Sequence, residues 1–271
     1  MHFTLTELFI ATFSLFFLSY LSLRFRLINM SGALTAFIIG FIVFIFGGWR
    51  WFLLLLSFHL SAGIVTKYKY SFKSSLGAAE AKGGARAWKN VLSNGLVASL
   101  FALCEGIRGG DIFFAGFLGA ISTACSDTFA TEIGLLYPGK PRLITNLKVK
   151  VEPGVSGGVS PYGEIAVILA SLSIGVLAIF LGDVSSYIWW KVLLISLASG
   201  FLGSTFDSLM GATVQAQYWC ENCKVFCESS KHKCGCEAKL VRGLSIINNH
   251  AVNFISTVIG ALIGLIIALI I

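Results

Sequence analysis

The sequence predicts an all-α fold, a polytopic helical membrane protein of about eight transmembrane helices. Three observations carry this. Of the 271 residues, 56% are hydrophobic and only 12% charged, where an ordinary soluble domain has roughly 25% charged residues. Mean hydropathy is +0.84. Several windows approach about 20 residues with almost no charge, enough to cross a hydrocarbon core of roughly 30 Å.

The expected spans are 5–23, 33–46, 49–66, 91–107, 112–131, 163–182, 187–209 and 251–271. The first apolar run lacks a basic leader, and no small-residue cleavage site follows it, so a cleaved signal peptide is not expected. Gly47–Gly48 separates the second and third spans and predicts a tight hairpin. The fourth span carries Asn94, Gly95 and Glu105. The whole chain, 1–271, reads as one membrane domain, with a Cys/His insert at 220–237.

Charge sets the expected orientation. All but three of the 20 Lys and Arg residues fall in the four connections on one side. The exceptions are Arg50, Arg108 and Lys191. By the positive-inside rule, the long loops are cytoplasmic and both termini face out. Topology and attraction to anionic lipid account for much of this basic charge. No other nucleic-acid-binding signature is present. A plasma-membrane location with a cytoplasmic working face is expected.

The fifth span ends in STACSDTFATEIG and the seventh in TFDSLMGATVQ. Asp127 and Asp207 thus sit at matching depths, near the cytoplasmic ends of apolar helices. Helical spacing puts Thr123 and Thr131 beside Asp127, and Gly200, Gly203 and Gly211 beside Asp207. Small residues at that spacing let helices approach closely, so both carboxylates are expected in helix contacts. An ionisable residue at membrane depth points to function. Magnesium takes one or two carboxylates together with water and phosphate oxygens, which makes Asp127 and Asp207 its candidate ligands. Glu132 is a third candidate, orienting a water or a lysine.

Between the fifth and sixth spans runs EPGVSGGVSPYGE. Gly154, Gly157 and Gly158 give backbone freedom, Ser156 adds a hydroxyl, and Pro161 opens a helix. Glycines leading into a helix N-terminus suit a phosphate, and Lys148 is near in sequence. Gly139-Lys140 is followed by Pro141, so no P-loop is present. In the loop before the fourth span, Lys82, Arg86 and Lys89 share a face if that segment is helical. Arg86, Lys89 and Asn94 join the phosphate- or nucleotide-binding candidates.

Five of the seven cysteines lie in CENCKVFCESSKHKCGCE. On a reducing side, such spacing favours metal over disulfides. Structural zinc takes four S or N ligands. The first choice is Cys220, Cys223, His232 and Cys234, with Cys227 and Cys236 as alternates. A redox-labile thiol tract is the other reading.

Four blocks in order, ARAWKNVLSNG, SDTFATEIG, GVSGGVSPYG and GSTFDSLMGATVQ, resemble a family of integral membrane proteins. That family includes plant phytyl-phosphate kinase and animal transmembrane protein 19. The CENC…HKCG segment with NNHAVNF looks like the archaeal-type version. The resemblance implies an isoprenoid (polyprenyl) phosphate kinase. Its expected partners are a nucleoside triphosphate, a lipid monophosphate such as phytyl or geranylgeranyl phosphate, and the bilayer. Its expected cofactors are Mg2+ and structural Zn2+. An ion-coupled transporter using the same aspartates is the alternative.

Overall fold

The structure is a computed structural model, and it describes residues 5–79, 81–182, 188–227, 229–231 and 234–271. Its long helices are α1 (Leu5–Arg24), α2 (Met30–Ile42), α3 (Gly48–Lys67), α6 (Trp88–Arg108), α7 (Ile112–Gly134), α8 (Pro161–Leu181), α9 (Trp189–Thr213) and α10 (Asn249–Ile270). A π-helical turn, Val43–Gly47, joins α2 to α3, while α4 (Tyr70–Ser75) and α5 (Ala81–Gly84) are short. Six helical stretches of the described residues are long and apolar enough to cross a membrane, and a shorter apolar stretch is Leu8–Arg24.

One of the six, Met30–Lys67, has 38 residues. A straight helix of that length would run roughly 57 Å at ~1.5 Å per residue, about twice the hydrocarbon core. It folds back instead, at the expected Gly47–Gly48 turn. Gly48 has φ +82°, a conformation that favours glycine. Both ends of the stretch return to Arg86. Ile28, just before α2, bridges Arg86 through the main chain, and Arg86 Nη2 donates to Thr66 Oγ1 at 3.3 Å near the end of α3. Phe44 and Phe52 close the turn edge to face, 5.4 Å between centroids.

Helix α7 is the centre of the bundle and packs against α6, α8, α9, α10 and α3. Lipid gives helices little hydrophobic reason to associate, so close contact must come from small residues and buried hydrogen bonds. A methyl at Gly203 of α9 would meet Thr123 of α7 at 2.4 Å. One at Gly119 of α7 would come within 2.3 Å of the Gly260 carbonyl oxygen of α10. The Thr123 hydroxyl donates to the Ser199 carbonyl at 2.8 Å, and the Ser122 and Ser196 hydroxyls lie 2.7 Å apart. The expected Asp127/Thr123 and Asp207/Gly203 faces therefore meet each other.

Three long connections and the short one between α1 and α2 gather at one end of the bundle, the end rich in Lys and Arg. At the other end the turns are short, and Arg50 Nη1 donates to the Gly182 carbonyl at 3.3 Å. The expected connection 183–186 lies outside the described residues, as does Tyr187, the expected first residue of the seventh span. Two small antiparallel sheets sit at the basic end. One has the order β2 (Asn146–Lys150), β1 (Arg142–Leu143), β3 (Gly158–Val159). The other has the order β5 (Val225–Cys227), β4 (Gln217–Cys220), β6 (Lys239–Arg242) and carries the cysteine-rich insert.

Candidate functional site

At the basic end lies a cavity of about 200 Å³. It is enclosed by the ends of α7 and α9, the starts of α8 and α10, and the loop before α8. Asp127 and Asp207 both line it, each half-buried. Their side chains lie within hydrogen-bonding reach of each other, and the Arg86 charge acts on Asp127. The Ser256 hydroxyl of α10 donates to Asp207 Oδ2 at 3.1 Å. Two carboxyls so close demand a shared proton or a cation, because like charges at contact distance disfavour double ionisation.

Glu132 also lines the cavity but faces a fixed partner. Its Oε2 is 2.5 Å from Lys73 Nζ of α4, and Glu132 is 7% exposed while Lys73 is 0% exposed. Lys73 Nζ donates as well to the Val65 and Thr66 carbonyls at 2.9 and 2.7 Å. The ammonium thus has three acceptors. It fastens α4 to the ends of α3 and α7, and it explains why a lysine tolerates full burial.

The glycine loop closes the cavity floor, with Gly154, Ser156, Gly157 and Gly158 among its lining. Gly157 has φ +80°, and a methyl there would lie 2.5 Å from the Ala212 backbone nitrogen at the end of α9. Arg242 of β6 holds the loop in place: its Nη2 donates to the Ser156 and Gly211 carbonyls, both at 2.9 Å. Gln215 adds a bond to Ser156 Oγ at 3.1 Å. The glycine loop leads into α8, which Pro161 opens as expected, by way of a short strand. Gly158 and Val159 first pair with β1, and only then does Ser160 cap α8, accepting from the Gly163 N–H at 3.2 Å.

Three expected phosphate ligands do not line the cavity. Asn94 is buried in α6, and its Nδ2 donates to the Asn90 carbonyl at 2.9 Å, one turn back. The neighbour Asn90 lines the cavity instead. Lys89 is exposed, its Nζ 5.7 Å from the centroid of the Trp88 ring. Lys148 is on β2, an exposed strand. The shared helical face of Lys82, Arg86 and Lys89 does not form, because Arg86 lies in extended chain between α5 and α6.

Sequence reasoning missed Asn253 of α10, which lines the cavity and is 8% exposed. Its Oδ1 has no hydrogen-bond partner among the described residues. It also missed the particular roles of Lys73, Gln215 and Arg242. A faint signal for Asn253 was the run Asn249, Asn253, Ser256, whose spacing puts polar groups on one face of an apolar helix.

In the insert, the sulfur atoms of Cys220, Cys223 and Cys234 lie within 4.8 Å of one another and could hold a metal ion. Cys223, hydrogen-bonded to Cys234, has its thiol pushed up to about 11. Cys236 is within hydrogen-bonding reach of Cys234 and accepts from Asn222 Nδ2 at 2.9 Å. Cys227 instead faces the Ser229 carbonyl at 3.4 Å. His232 lies outside the described residues.

Residues 13–261 match a family described as "Integral membrane protein DUF92". The chain is 32% identical over 265 residues to an uncharacterized membrane protein of Methanocaldococcus jannaschii, covering 97% of this chain and 95% of that one. It is 30% identical over 261 residues to Protein PGR of Arabidopsis thaliana, with 88% of each chain covered. To Protein VTE6, chloroplastic, of the same plant it is 27% identical over 193 residues, 69% of this chain and 56% of that one. No solved structure gives a significant match. With nearly its whole length matched, and with its long apolar helices, the chain belongs to the DUF92 family of integral membrane proteins.

Proposed function

We propose that the protein is a membrane-embedded isoprenoid-phosphate kinase, which transfers a phosphoryl group from a nucleoside triphosphate to a lipid monophosphate. The observation that carries this reading is the meeting of Asp127, Asp207, Arg86 and the glycine loop around one cavity at the basic end of a helical bundle. A charged headgroup can enter there from water while its chain stays in lipid. The resemblance to the family that includes phytyl-phosphate kinase supports the same chemistry. In this reading the chain makes eight passes, with α2 and α3 as separate arms. The basic end faces the cytoplasm, both termini face out, and the insert is part of the single domain.

A terminal oxygen of the lipid monophosphate attacks the γ-phosphorus. The new P–O bond forms as the bond to the bridging oxygen breaks, and the nucleoside diphosphate leaves with that electron pair. Arg86 offers a guanidinium to the phosphate oxygens. The loop around Gly157, free of side chain, lets a phosphate come close to the main chain. Two carboxylates facing phosphates would repel them, and this donor set suits a hard divalent cation. Mg2+ held by Asp127 and Asp207 would supply charge neutralisation at the transferring group. Ser256 keeps Asp207 turned inward. Glu132 and Lys73 do not touch the phosphates; they hold the wall.

The insert suits zinc. Tetrahedral zinc with Zn–S bonds of ~2.3 Å requires sulfurs roughly 3.8 Å apart, and Cys220 and Cys234 are 3.8 Å apart. Cys223 would be the third ligand, with His232, Cys236 or Cys227 competing for the fourth position.

The test is turnover by purified protein in nanodiscs with Mg2+, CTP or ATP, and geranylgeranyl or phytyl phosphate. Wild type should form the diphosphate and Asp127→Asn should not. Equal turnover by the two would remove Asp127 from the site. An ion-coupled carrier would move substrate across proteoliposomes without consuming nucleotide. Its site would be expected near the bilayer midplane, not at the helix ends.

A further inference from the structure

We propose that the side-chain carbonyl oxygen of Asn253 is a third protein ligand for the divalent cation, completing with Asp127 and Asp207 a site contributed by α7, α9 and α10. The inference rests on the kinase reading and deepens it.

Asn253 Oδ1 is buried, has no hydrogen-bond partner among the described residues, and belongs to a residue lining the cavity that holds both aspartates. A buried polar atom left unsatisfied costs on the order of 1–3 kcal/mol, so a native fold keeps one where a ligand satisfies it. The oxygen is an acceptor, and its neighbours in the cavity include two more acceptors, Asp127 and Asp207. Acceptors converging on one space call for a donor or a cation.

The helix holds this arrangement. Ser256 stands three residues beyond Asn253 and therefore on the same face of α10. Its hydroxyl reaches Asp207 Oδ2 at 3.1 Å and so ties the asparagine's helix to the aspartate. Gly260, one turn further, packs against Thr123 and Gly119 of α7 so tightly that a methyl there would fall 1.9 Å from Thr123 Oγ1. That contact seats α10 against the helix that carries Asp127. Mg2+ and Mn2+ take oxygen ligands in octahedral sites, and a neutral amide carbonyl beside two carboxylates leaves places for water and phosphate.

The experiment is Mn2+ binding to the purified full chain in nanodiscs without nucleotide, followed by loss of the free-ion EPR signal. Asn253→Leu removes the acceptor at similar volume and should weaken Mn2+ binding by about tenfold. Asn253→Asp keeps the oxygen and adds charge, and should bind at least as tightly as wild type. Thermal unfolding in chelator, where the ion is gone, should leave Asn253→Leu at least as stable as wild type, because the orphaned acceptor is removed, and Asn253→Asp less stable, because a third carboxylate joins the cluster. If Asp127→Asn and Asp207→Asn weaken binding but Asn253→Leu does not, the inference falls and the kinase reading stands. If Asn253→Asp weakens binding as much as Asn253→Leu, the residue acts by packing and the inference also falls. If neither aspartate substitution changes Mn2+ binding, the cation site itself falls.

Discussion

Lys73 is the residue whose replacement should report most clearly on how the cavity wall is held. Lys73→Met keeps the length of the side chain and removes the charge. Three acceptors then lose their donor: Glu132 Oε2 at 2.5 Å, the Thr66 carbonyl at 2.7 Å and the Val65 carbonyl at 2.9 Å. Breaking a buried ion pair by removing one partner costs roughly 3–5 kcal/mol, because the remaining charge is stranded. Replacing both members is far milder, so Lys73→Met with Glu132→Leu should cost less than Lys73→Met alone. SDS-driven unfolding in mixed micelles, read by tryptophan fluorescence, gives the two free energies and their coupling. A loss below about 1 kcal/mol for Lys73→Met, or simple additivity in the double variant, would refute the reasoning. The same variant should lower phosphotransfer. Ala78, a few residues after α4, abuts Gly154, where a methyl would come within 2.5 Å of its Cβ. Loosening α4 therefore loosens the glycine loop.

Other outcomes follow from the same geometry. Gly157→Ala should cut turnover at least tenfold with normal membrane insertion, since φ +80° costs a non-glycine residue about 1–2 kcal/mol and the added methyl meets Ala212. Steady-state kinetics and a folding readout together check it. Arg242→Met should raise KM for nucleotide more than it lowers kcat, because Arg242 positions the loop through the Ser156 and Gly211 carbonyls. Stripping metal from the insert should lower the thermal midpoint, and Cys220→Ser should give the same drop with no further response to chelator. Elemental analysis beside thermal unfolding measures both, with zinc retained by wild type alone.

Helices and carboxylates were legible in the sequence because each carries a local signal. Apolar length marks a span: five of the six long stretches among the described residues start and end within a few residues of an expected one. Met30–Lys67 runs through two expected spans, and the expected first span appears only as the shorter stretch Leu8–Arg24. Asp127 and Asp207 stand out as charges at equal depth, and the structure brings both to the same cavity. Polar residues that depend on distant partners were not legible. Lys73 looked like one more lysine in a basic loop, because its partner Glu132 is 59 residues away. Asn94 looked functional because an amide in a span needs a partner, yet the carbonyl one turn back supplies it. Lys148 is close to the glycine loop in sequence, but a short β-sheet of three separate segments carries it on an exposed strand away from the cavity lining. Asn253 lies in a largely apolar helix whose few polar residues cluster in its first turns, and the packing of α10 against α7 and α9 brings it to the cavity of the carboxylates.

The most direct test of the central claim follows the phosphoryl group itself. Purified protein in proteoliposomes would receive geranylgeranyl phosphate, Mg2+ and nucleoside triphosphate labelled at the γ-phosphorus, with the lipid fraction resolved by chain and phosphate number. The account predicts label in the lipid diphosphate, one equivalent of nucleoside diphosphate per labelled lipid, and loss of both with Asp127→Asn or Asp207→Asn. Unlabelled lipid with every nucleotide offered, from protein that still binds Mn2+, would contradict it.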